Sequence, residues 1–397
     1  MSVTETIVRL AARGDGVTEG GRFFPLTAPL DRVEADGTVT PGPHRQQPPC
    51  RHFPECGGCQ LQQIDDTAFA GYLEDRIASA LAAQGLPRPE ILAAHISPPN
   101  SRRRASLHAE RRGKQVALGF NAEASHRIVD MRECHILRPE LFALVSPLRR
   151  LLADMLPQRG RGGVRMTLAD QGVDLLLDRV EADSLRASEA LGAFAQEHRL
   201  ARLSLDDGYG PQTRWEPEPV TVTLGGVPVP LPHAAFLQAT AEGEGALVSA
   251  VREAVGEAGI VADLFAGIGT FALSLEGRIL AVEGGRDAAL ALKAAANRSQ
   301  RQLFVDHRDL FRRPLTPAEL GRFEAIVLDP PRAGAKEQMP LLARSTVPRV
   351  ACVSCNPATF ARDTKALVDG GYRLDWVKPV GQFRWSTHVE LVGAFVR

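Results

Sequence analysis

The sequence lacks any apolar run long enough to cross a membrane, and its start lacks the apolar core of a signal peptide. No stretch approaches the roughly eighteen consecutive apolar residues that identify a transmembrane helix. Residues Met1–Arg9 include Glu5 and contain no signal-peptide core. We therefore expect a cytoplasmic protein that has no membrane partner.

The sequence also lacks an excess of charge of either sign, because 47 Lys and Arg residues balance 47 Asp and Glu residues. Overall charge therefore gives no indication of nucleic-acid binding, and any contact with RNA must come from local basic patches. Two clusters supply such patches: Arg102, Arg103, Arg104, Arg111, Arg112 and Lys114, then Arg159, Arg161 and Arg165. They suit contacts with RNA phosphates, and the alternative is an ordinary solvated basic face.

Cysteine is scarce, with 6 residues in 397, and its clustering favours metal or catalytic sites over disulfides. The spacing Cys50-x5-Cys56-Gly-Gly-Cys59 and the distant Cys134 together supply four thiolates. Four is the number that a [4Fe-4S] cluster or a structural zinc ion needs. Structural zinc more often uses two paired Cys-x-x-Cys motifs. One close trio with a lone fourth cysteine therefore favours the cluster and leaves zinc as the alternative.

The order of predicted elements divides the chain into three regions. Residues 1–47 predict a small β segment, and residues 48–232 predict a mixed α/β domain that includes a helix over Asp66–Gln84. Residues 233–397 alternate strands with helices, which predicts a parallel sheet with helices on both faces. The predicted strands of this region are Gly259–Leu264, Arg278–Glu283, Gln302–Val305, Ala325–Leu328 and Arg349–Ser354, and its predicted helices are Phe271–Leu275, Arg286–Ser299 and Ala358–Asp369.

The chain ends in two predicted strands without a helix between them, Tyr372–Pro379 and Val389–Val396. A closing antiparallel pair is unusual for a domain that binds a nicotinamide dinucleotide. In the middle region, Leu141–Met155 and Ala182–His198 are each predicted to form one helix.

A cofactor site is predicted where the segment Asp263-Leu-Phe-Ala-Gly267-Ile-Gly269-Thr270 follows a strand and is expected to open a helix. Two glycines allow a tight turn and a close approach of the backbone to a ligand. Glu283 ends the next strand, where it can bind a ribose diol, and Asp309 follows the third strand, where it can accept from an adenine amino group. A carboxylate at Asp263 would repel a pyrophosphate but attract an ammonium group. This favours S-adenosylmethionine over a dinucleotide.

A catalytic cysteine is predicted at the end of the fifth strand, in Val353-Ser354-Cys355-Asn356-Pro357. Asn356 is a good helix N-cap and Pro357 suits the first helical position. Cys355 would then lie at a helix N-terminus, a location that lowers the pKa of a thiol from about 8.5. Cys352 lies within the strand and is expected to be buried and inert, so a redox pair is the weaker alternative.

A thiolate suits methylation of carbon 5 of uracil, because its addition to C6 places electron density on C5. The C5 proton must then be removed by a general base before the thiol can leave. Glu390, which begins the final strand, is the best candidate, and His388 is the alternative. In Asp329-Pro-Pro-Arg332, an arginine follows the prolines where many amino-methyltransferases have an aromatic residue. This disfavours an exocyclic amine as the methyl acceptor.

Taken together, these motifs resemble the RNA uracil-5 methyltransferase family, specifically its iron–sulfur-containing bacterial ribosomal RNA members. The resemblance covers most of the chain, and its markers are Cys50-x5-Cys-Gly-Gly-Cys59-Gln60, Leu118-Gly-Phe120, Ser125-His126, Val129-Asp130, Phe236-Leu-Gln238, Asp263 to Gly269, Asp329-Pro-Pro-Arg-Ala-Gly334, Ser354-Cys-Asn-Pro357 and His388-Val-Glu390. The joint occurrence of these motifs in this order is highly specific.

The resemblance implies a class I (Rossmann-like) methyltransferase domain at the C-terminal end, with Cys355 as nucleophile and Glu390 as proton acceptor. It implies cofactor contacts from Gln238, Phe265, Glu283, Asp309 and Asp329, and cluster ligands from Cys50, Cys56, Cys59 and Cys134. The turn motif adds Gly267, Gly269 and Thr270 to the predicted cofactor contacts. The family often has Asn where Thr270 and Thr240 stand, so a side-chain contact to the cofactor is altered at Thr270. Residues 1–47 resemble a TRAM-type, OB-like barrel only in part, with its later strands shortened.

The sequence therefore predicts an S-adenosylmethionine-dependent enzyme that methylates C5 of a uridine in structured RNA, with 23S rRNA as the favoured target. We expect a monomer that has no obligate protein partner. Three alternatives stay open at this point: a transfer-RNA uridine methyltransferase, an inactive RNA-binding or assembly protein, and a nicotinamide-dependent oxidoreductase.

Overall fold

A computed structural model describes residues 4–397 of the chain. Its strands are β1 (Glu5–Leu10), β2 (Gly16–Thr18), β3 (Phe23–Phe24), β4 (Arg32–Val33), β5 (Val39–Thr40), β6 (Glu90–Ile91), β7 (His95–Ile96), β8 (Arg104–Arg112), β9 (Gln115–Gly119), β10 (Arg161–Ala169), β11 (Gly172–Asp178), β12 (Arg202–Asp206), β13 (Gln212–Trp215), β14 (Thr221–Leu224), β15 (Val227–Pro230), β16 (Ile260–Leu264), β17 (Arg278–Glu283), β18 (Leu303–His307), β19 (Ala325–Leu328), β20 (Arg349–Ser354), β21 (Arg373–Gly381) and β22 (Glu390–Val396). Its helices are α1 (Asp66–Ala83), α2 (Pro139–Ala143), α3 (Val145–Met155), α4 (Leu185–Glu197), α5 (Ala241–Val255), α6 (Arg286–Ser299), α7 (Pro317–Leu320), α8 (Met339–Ala343) and α9 (Pro357–Asp369). Among these helices, none has the length and apolar character that crossing a membrane would require.

Contacts divide the chain into two compact units, each built from separate stretches of sequence. The first unit contains the chain up to Tyr72, then Pro98–Val220 and Phe383–Thr387. The second contains Leu73–Ser97, Thr221–Gln382 and His388–Arg397. The division into three regions that the sequence suggests stays a prediction.

The first unit contains two sheets. A five-stranded sheet has the order β3-β2-β1-β4-β5, and each neighbouring pair in it is antiparallel. This sheet is the small β segment that the sequence predicts near the start of the chain, and it consists of five short strands. A six-stranded sheet has the order β13-β12-β11-β10-β8-β9, and helices α3 and α4 pack against it over a core of apolar side chains.

The second unit is built on a sheet with the strand order β18-β17-β16-β19-β20-β22-β21-β6, and β7 also pairs with β21. The five strands from β18 to β20 run parallel, which the alternating strands and helices predict. Strand β22 is antiparallel to both β20 and β21, so the predicted closing pair is confirmed. In a parallel sheet, ligands bind beyond the carboxyl ends of the strands. The candidate site is therefore expected at this edge of the sheet.

Two predicted helices are wrong in detail. The segment Phe271–Leu275 forms turns rather than an α-helix, and it mixes hydrogen bonds of different spacing: Leu273 N to Gly269 O at 3.0 Å and Ser274 N to Phe271 O at 2.8 Å. The Ser274 hydroxyl also donates to a backbone carbonyl at 2.7 Å, which competes with helical bonding. The predicted helix Leu141–Met155 is divided at Leu144, which ends α2 before α3 begins.

A buried ion pair joins two parallel strands of the first unit. Asp174 on β11 lies opposite Arg202 on β12 in the strand register. Nε and Nη2 of Arg202 each donate to one carboxylate oxygen of Asp174 at 2.8 Å. The side chain of Arg202 is 6% exposed and that of Asp174 is 10% exposed. A charge that is buried this deeply is stable only when it is paired.

This pair predicts a large asymmetry between single and double substitution. Asp174→Ala leaves an unpaired buried guanidinium, so we expect the free energy of unfolding to fall by about 3–5 kcal/mol in urea denaturation. Asp174→Leu combined with Arg202→Met removes both charges and is expected to recover most of that loss. Arg179→Gln, which breaks an exposed pair with Asp178, should cost less than about 1 kcal/mol. A loss below about 1 kcal/mol for Asp174→Ala would contradict this account.

Candidate active site

Cys355 lies directly after β20, at the carboxyl edge of the sheet in the second unit. Asn356 caps the following helix, because its side chain accepts a hydrogen bond from Ala358 N at 3.1 Å. Pro357 occupies the first helical position of α9, where its missing N–H is not needed. The predicted location of Cys355, between the end of a strand and the start of a helix, is confirmed.

The predicted lowering of the Cys355 pKa is wrong. Burial and the neighbouring carboxylates of Glu390 and Asp329 raise the pKa of this thiol to about 11. Desolvation disfavours a thiolate, and two nearby negative charges disfavour it further, which outweighs the favourable helix N-terminus. The thiol of the ligand-free protein is therefore protonated near neutral pH.

Glu390 is placed beside Cys355 by the register of the sheet. Strand β22 runs antiparallel to β20 and pairs Leu391 with Ser354, so the next residues along this ladder are Glu390 and Cys355. Glu390 is 6% exposed, whereas His388 is exposed and precedes the strand. The structure thus brings the first candidate base to the thiol and leaves the alternative base at the surface.

Two buried carboxyl groups lie at the ends of neighbouring parallel strands. Asp263 is the next-to-last residue of β16, and Asp329 directly follows β19. Burial raises the pKa of Asp329 to about 7. Burial, followed by the charge of Asp329, also raises the pKa of Asp263 well above its usual range. One oxygen of Asp263 accepts from Ala272 N at 2.8 Å, and the other has no hydrogen-bond partner among the described residues. Buried acids of this kind suit a cationic ligand.

The glycine turn after β16 has the geometry that the sequence predicts. Gly267 and Gly269 have φ values of +56° and +103°, which favour glycine. A Cβ atom on Gly269 would lie 2.4 Å from the side chain of Leu292, so no larger residue fits. Glu283 accepts from Gly267 N at 2.8 Å and thereby ties this turn to the end of β17.

Aromatic and acidic residues border the same turn. The ring of Phe265 lies 5.4 Å from the ring of Phe311, in a tilted arrangement. Asp309, which follows β18, accepts from Phe311 N at 2.9 Å and has a half-exposed side chain. Thr270 is partly buried within the turn, and its carbonyl accepts from Ser274. The structure therefore brings Phe265, Glu283 and Asp309 to one end of the sheet.

Sequence analysis missed Gln382, which is joined to the site by side-chain hydrogen bonds. Gln238 donates to Asp329 at 3.4 Å, and Gln382 donates to Gln238 at 2.8 Å. Both glutamines are 2% exposed. Gln382 directly follows β21 and belongs to no motif that the sequence analysis identified, so only the fold shows its connection to Asp329.

The four cysteines outside the second unit line one pocket of the first unit, which is open to solvent and includes Phe120 and Met131 in its wall. Burial raises the pKa of Cys59 to about 12 and that of Cys134 to about 11, and the other cysteines contribute to both shifts. Gly57 permits the close turn at this pocket, because a Cβ atom there would lie 2.8 Å from Asn121 O. The sequence therefore brings Cys50, Cys56, Cys59 and Cys134 to one place, as predicted.

These thiols do not meet at a single point. Within residues 4–397, no group of three or more His, Cys, Asp or Glu side chains is arranged to hold a metal ion. The role of these four cysteines as ligands of a cluster or of zinc therefore stays a prediction.

The basic residues that were predicted to contact RNA differ in their exposure. Arg102 is only partly exposed, and its guanidinium lies 5.7 Å from the ring of Phe120 and 5.3 Å from that of Phe383. Arg112, Lys114, Arg159, Arg161 and Arg165 are exposed. Glu110 pairs with Arg112 and Arg161, which leaves a net positive surface at this end of the six-stranded sheet.

Comparison with known sequences identifies relatives along nearly the whole chain. The profile of the tRNA (uracil-5-)-methyltransferase family matches residues 297–397. An uncharacterized RNA methyltransferase of Zymomonas mobilis is 55% identical over 393 residues, which cover 98% of this chain and 99% of the relative. The 23S rRNA (uracil(1939)-C(5))-methyltransferase of Thiobacillus denitrificans is 30% identical over 416 residues, which cover 96% of this chain and 94% of the relative.

Comparison with solved structures identifies the same fold. The tRNA (uracil-54, C5)-methyltransferase of Pyrococcus abyssi, in complex with S-adenosyl-L-homocysteine, superimposes with a TM-score of 0.76. Its sequence is 20% identical, and the match covers 99% of each chain. The fold, the sequence relatives and the family profile agree, and the chain belongs to the RNA uracil-5-methyltransferase family.

Proposed function

We propose that this protein transfers a methyl group from S-adenosylmethionine to C5 of a uridine in 23S rRNA. The observation that carries the proposal is the placement of Cys355, Glu390 and Asp329 together at the carboxyl edge of one sheet. A nucleophile, a base and a buried acid are the three groups that this reaction needs from the protein.

Cys355 acts as the nucleophile. The Cys355 thiol first loses its proton to solvent. The thiolate sulfur then bonds to C6 of the uracil, and the electron pair of the C5=C6 double bond moves toward C5 and the neighbouring carbonyl. S-adenosylmethionine, when bound, supplies a methyl group on a positively charged sulfur. Carbon 5 takes that methyl group and becomes saturated, and the methyl-donor sulfur keeps the electron pair of the broken bond.

Glu390 acts as the base in the second half of the reaction. It removes the C5 proton, the electrons of that C–H bond restore the double bond, and the bond between C6 and the Cys355 sulfur breaks. The buried position of Glu390 keeps water from competing for this proton. His388, which is exposed, is not assigned a role.

Because the pKa of Cys355 is raised, the bound methyl donor has a second role, which is to favour the thiolate form of this residue. Asp329, one of the two carboxylates that disfavour the thiolate, is also a group that a cationic ligand would neutralise. A positive charge beside Asp329 and Asp263 favours loss of the Cys355 proton. Gln238, Phe265, Gly267, Gly269, Thr270, Glu283, Asp309 and Asp329 are proposed to hold the donor.

A [4Fe-4S] cluster is proposed for the cysteine pocket. Four thiols line one cavity, and four thiolates are the ligand set that such a cluster takes. Cys50, Cys56, Cys59 and Cys134 would be its ligands. The cluster would tie the segment around Cys50–Cys59 to the distant Cys134, a structural role.

The 23S rRNA target rests on the four cysteines and on the 30% identical relative that is named for this substrate. A transfer-RNA uridine methyltransferase is the second candidate, because the structural relative of Pyrococcus abyssi is named for that substrate. An inactive RNA-binding protein is the third. Mapping 5-methyluridine by mass spectrometry in cells with and without the gene separates all three. We expect one or more 23S sites to lose the modification, whereas loss in tRNA alone, or no loss, would reject the proposal.

The covalent mechanism predicts opposite effects for the two catalytic substitutions. Cys355→Ala should abolish both methyl transfer and the protein–RNA adduct, because no sulfur can bond to C6. Glu390→Gln should allow adduct formation but slow its resolution by about 10²–10⁴-fold, so that adduct accumulates on unmodified RNA. Denaturing gels with labelled RNA measure both. Cys352→Ala, a matched control at a buried cysteine, should behave like wild type, and so should His388→Ala. An adduct that forms with Cys355→Ala would contradict the mechanism.

Asp329 predicts a pH dependence of cofactor affinity. Its carboxyl group is largely neutral below its pKa of about 7 and charged above it. A cationic ligand binds the charged form, so S-adenosylmethionine should bind about tenfold more tightly at pH 8 than at pH 6, with proton release on binding. Isothermal titration calorimetry in buffers of different ionisation enthalpy measures both quantities. Asp329→Asn should bind more weakly and lose the dependence. Tighter binding by the wild type at pH 6 would contradict the assignment.

The cysteine pocket predicts a coloured protein. Anaerobically purified protein should be brown and contain about four iron and four sulfide per chain. Cys59→Ser should lose the colour and most of the iron, because it removes a buried ligand. Cys355→Ala, which lies in the other unit, should keep both. A colourless wild type with stoichiometric zinc would overturn the cluster.

A further inference from the structure

Gln382 begins a chain of hydrogen bonds that leads to the active-site acid. Its side-chain oxygen accepts from the backbone N–H of Ala239 at 2.7 Å. Its side-chain nitrogen donates to the oxygen of Gln238 at 2.8 Å, and the nitrogen of Gln238 donates to Asp329 at 3.4 Å. All three side chains lie within the second unit.

The direction of this chain is fixed at its first member. A backbone N–H can only donate, so Gln382 must present its oxygen to Ala239 and its amide nitrogen to Gln238. Gln238 must then accept through its oxygen and turn its own nitrogen toward Asp329. Because both glutamines are buried, no solvent competes to reverse either amide.

Packing holds Gln382 in this orientation. Gly243, in the first turn of α5, leaves the space that the Gln382 side chain occupies, since a Cβ atom there would lie 2.6 Å from Gln382 Cβ. The same turn is capped by Thr240, whose hydroxyl accepts from Gly243 N at 3.0 Å and lies 2.7 Å from Ser97 Oγ. The first turn of α5 therefore restricts the position of the Gln382 side chain.

We propose that Gln382 is a positioning residue, which fixes Gln238 as a hydrogen-bond donor to Asp329 and so keeps Asp329 ready to bind a cationic methyl donor. This inference rests on the proposed function of Asp329. A donor aimed at a carboxylate favours its charged form. Asp263 and Cys355 are the titratable groups on which the charge of Asp329 acts, and the charges of Glu390 and of the cation Arg332 act on Cys355 in turn.

The test measures the affinity for S-adenosylmethionine across pH 6–9 by calorimetry, together with proton release on binding. Gln382→Met keeps the volume of the side chain but cannot orient Gln238. We expect the midpoint of the pH dependence to rise by about one pH unit, so that affinity falls about tenfold at pH 6.5 but little at pH 9. Gly243→Ala, which displaces Gln382 without removing its amide, should shift the midpoint in the same direction.

A double-mutant cycle identifies the route of the effect. Gln238→Met should shift the midpoint at least as far as Gln382→Met, and combining the two should add nothing, because both break one chain. The matched control is Gln338→Met, at another buried glutamine of the same unit, which bonds the backbone of Leu315 at both ends. That variant should lose stability without moving the midpoint.

The outcomes separate this inference from the proposed function. If wild-type affinity does not depend on pH, the role of Asp329 itself fails. If the wild type shows the dependence but Gln382→Met and Gly243→Ala keep its midpoint, the positioning role of Gln382 is overturned. An equal shift in Gln338→Met would also overturn it, because the effect would then be one of general destabilisation.

Discussion

The proposed chemistry of this protein depends on a negative electrostatic environment around a thiol. Cys355 lies beside Glu390 and near Asp329, and burial together with these carboxylates holds its pKa at about 11. An environment of this kind keeps the sulfur protonated and unreactive while the site has no ligand. The arrangement makes sense for an enzyme whose methyl donor carries a positive charge, because the donor then supplies the charge that the site lacks. Nucleophile activation and donor binding become one electrostatic event.

The sheet produces this arrangement with few residues. The antiparallel strand β22 returns beside β20, and this places Glu390 next along the ladder from Cys355. Asp263 is the next-to-last residue of β16, and Asp329 directly follows the parallel neighbour β19. The closing antiparallel pair, β21 and β22, therefore has a direct part in forming the site. It brings a residue from the end of the chain to a site that is otherwise built from strand ends.

Much of this could be predicted from the sequence, because the strands of the second unit are continuous apolar runs that end in polar motifs. Strands β17, β19 and β20 and helix α6 have the predicted bounds. Failures occurred where local pattern is a poor guide. Residues 271–275 are apolar enough for a helix, but the Ser274 hydroxyl and the mixed hydrogen-bond spacing prevent one. Arg102 is part of a basic run, yet two aromatic rings from distant parts of the chain enclose it.

The candidate site also combines features that the sequence predicts with features that only the tertiary structure determines. The sequence predicts which residues lie at the strand ends, since motif position determines that. It could not predict the sign of the Cys355 pKa shift, because the helix N-terminus is local whereas burial and the charges of Glu390 and Asp329 arise from the tertiary structure. Nor could it identify Gln382, whose partners Gln238 and Ala239 are far away in sequence.

The most direct measurement of the central claim is to locate the sulfur that bonds to RNA. Substrate RNA carrying 5-fluorouridine at the target traps the complex, because C5 then holds no proton for Glu390 to remove. Protease and nuclease digestion followed by mass spectrometry should find a methylated, fluorinated uridine attached to the peptide that contains Cys355. A nucleotide attached to any other residue, or no covalent species with active enzyme, would contradict the account.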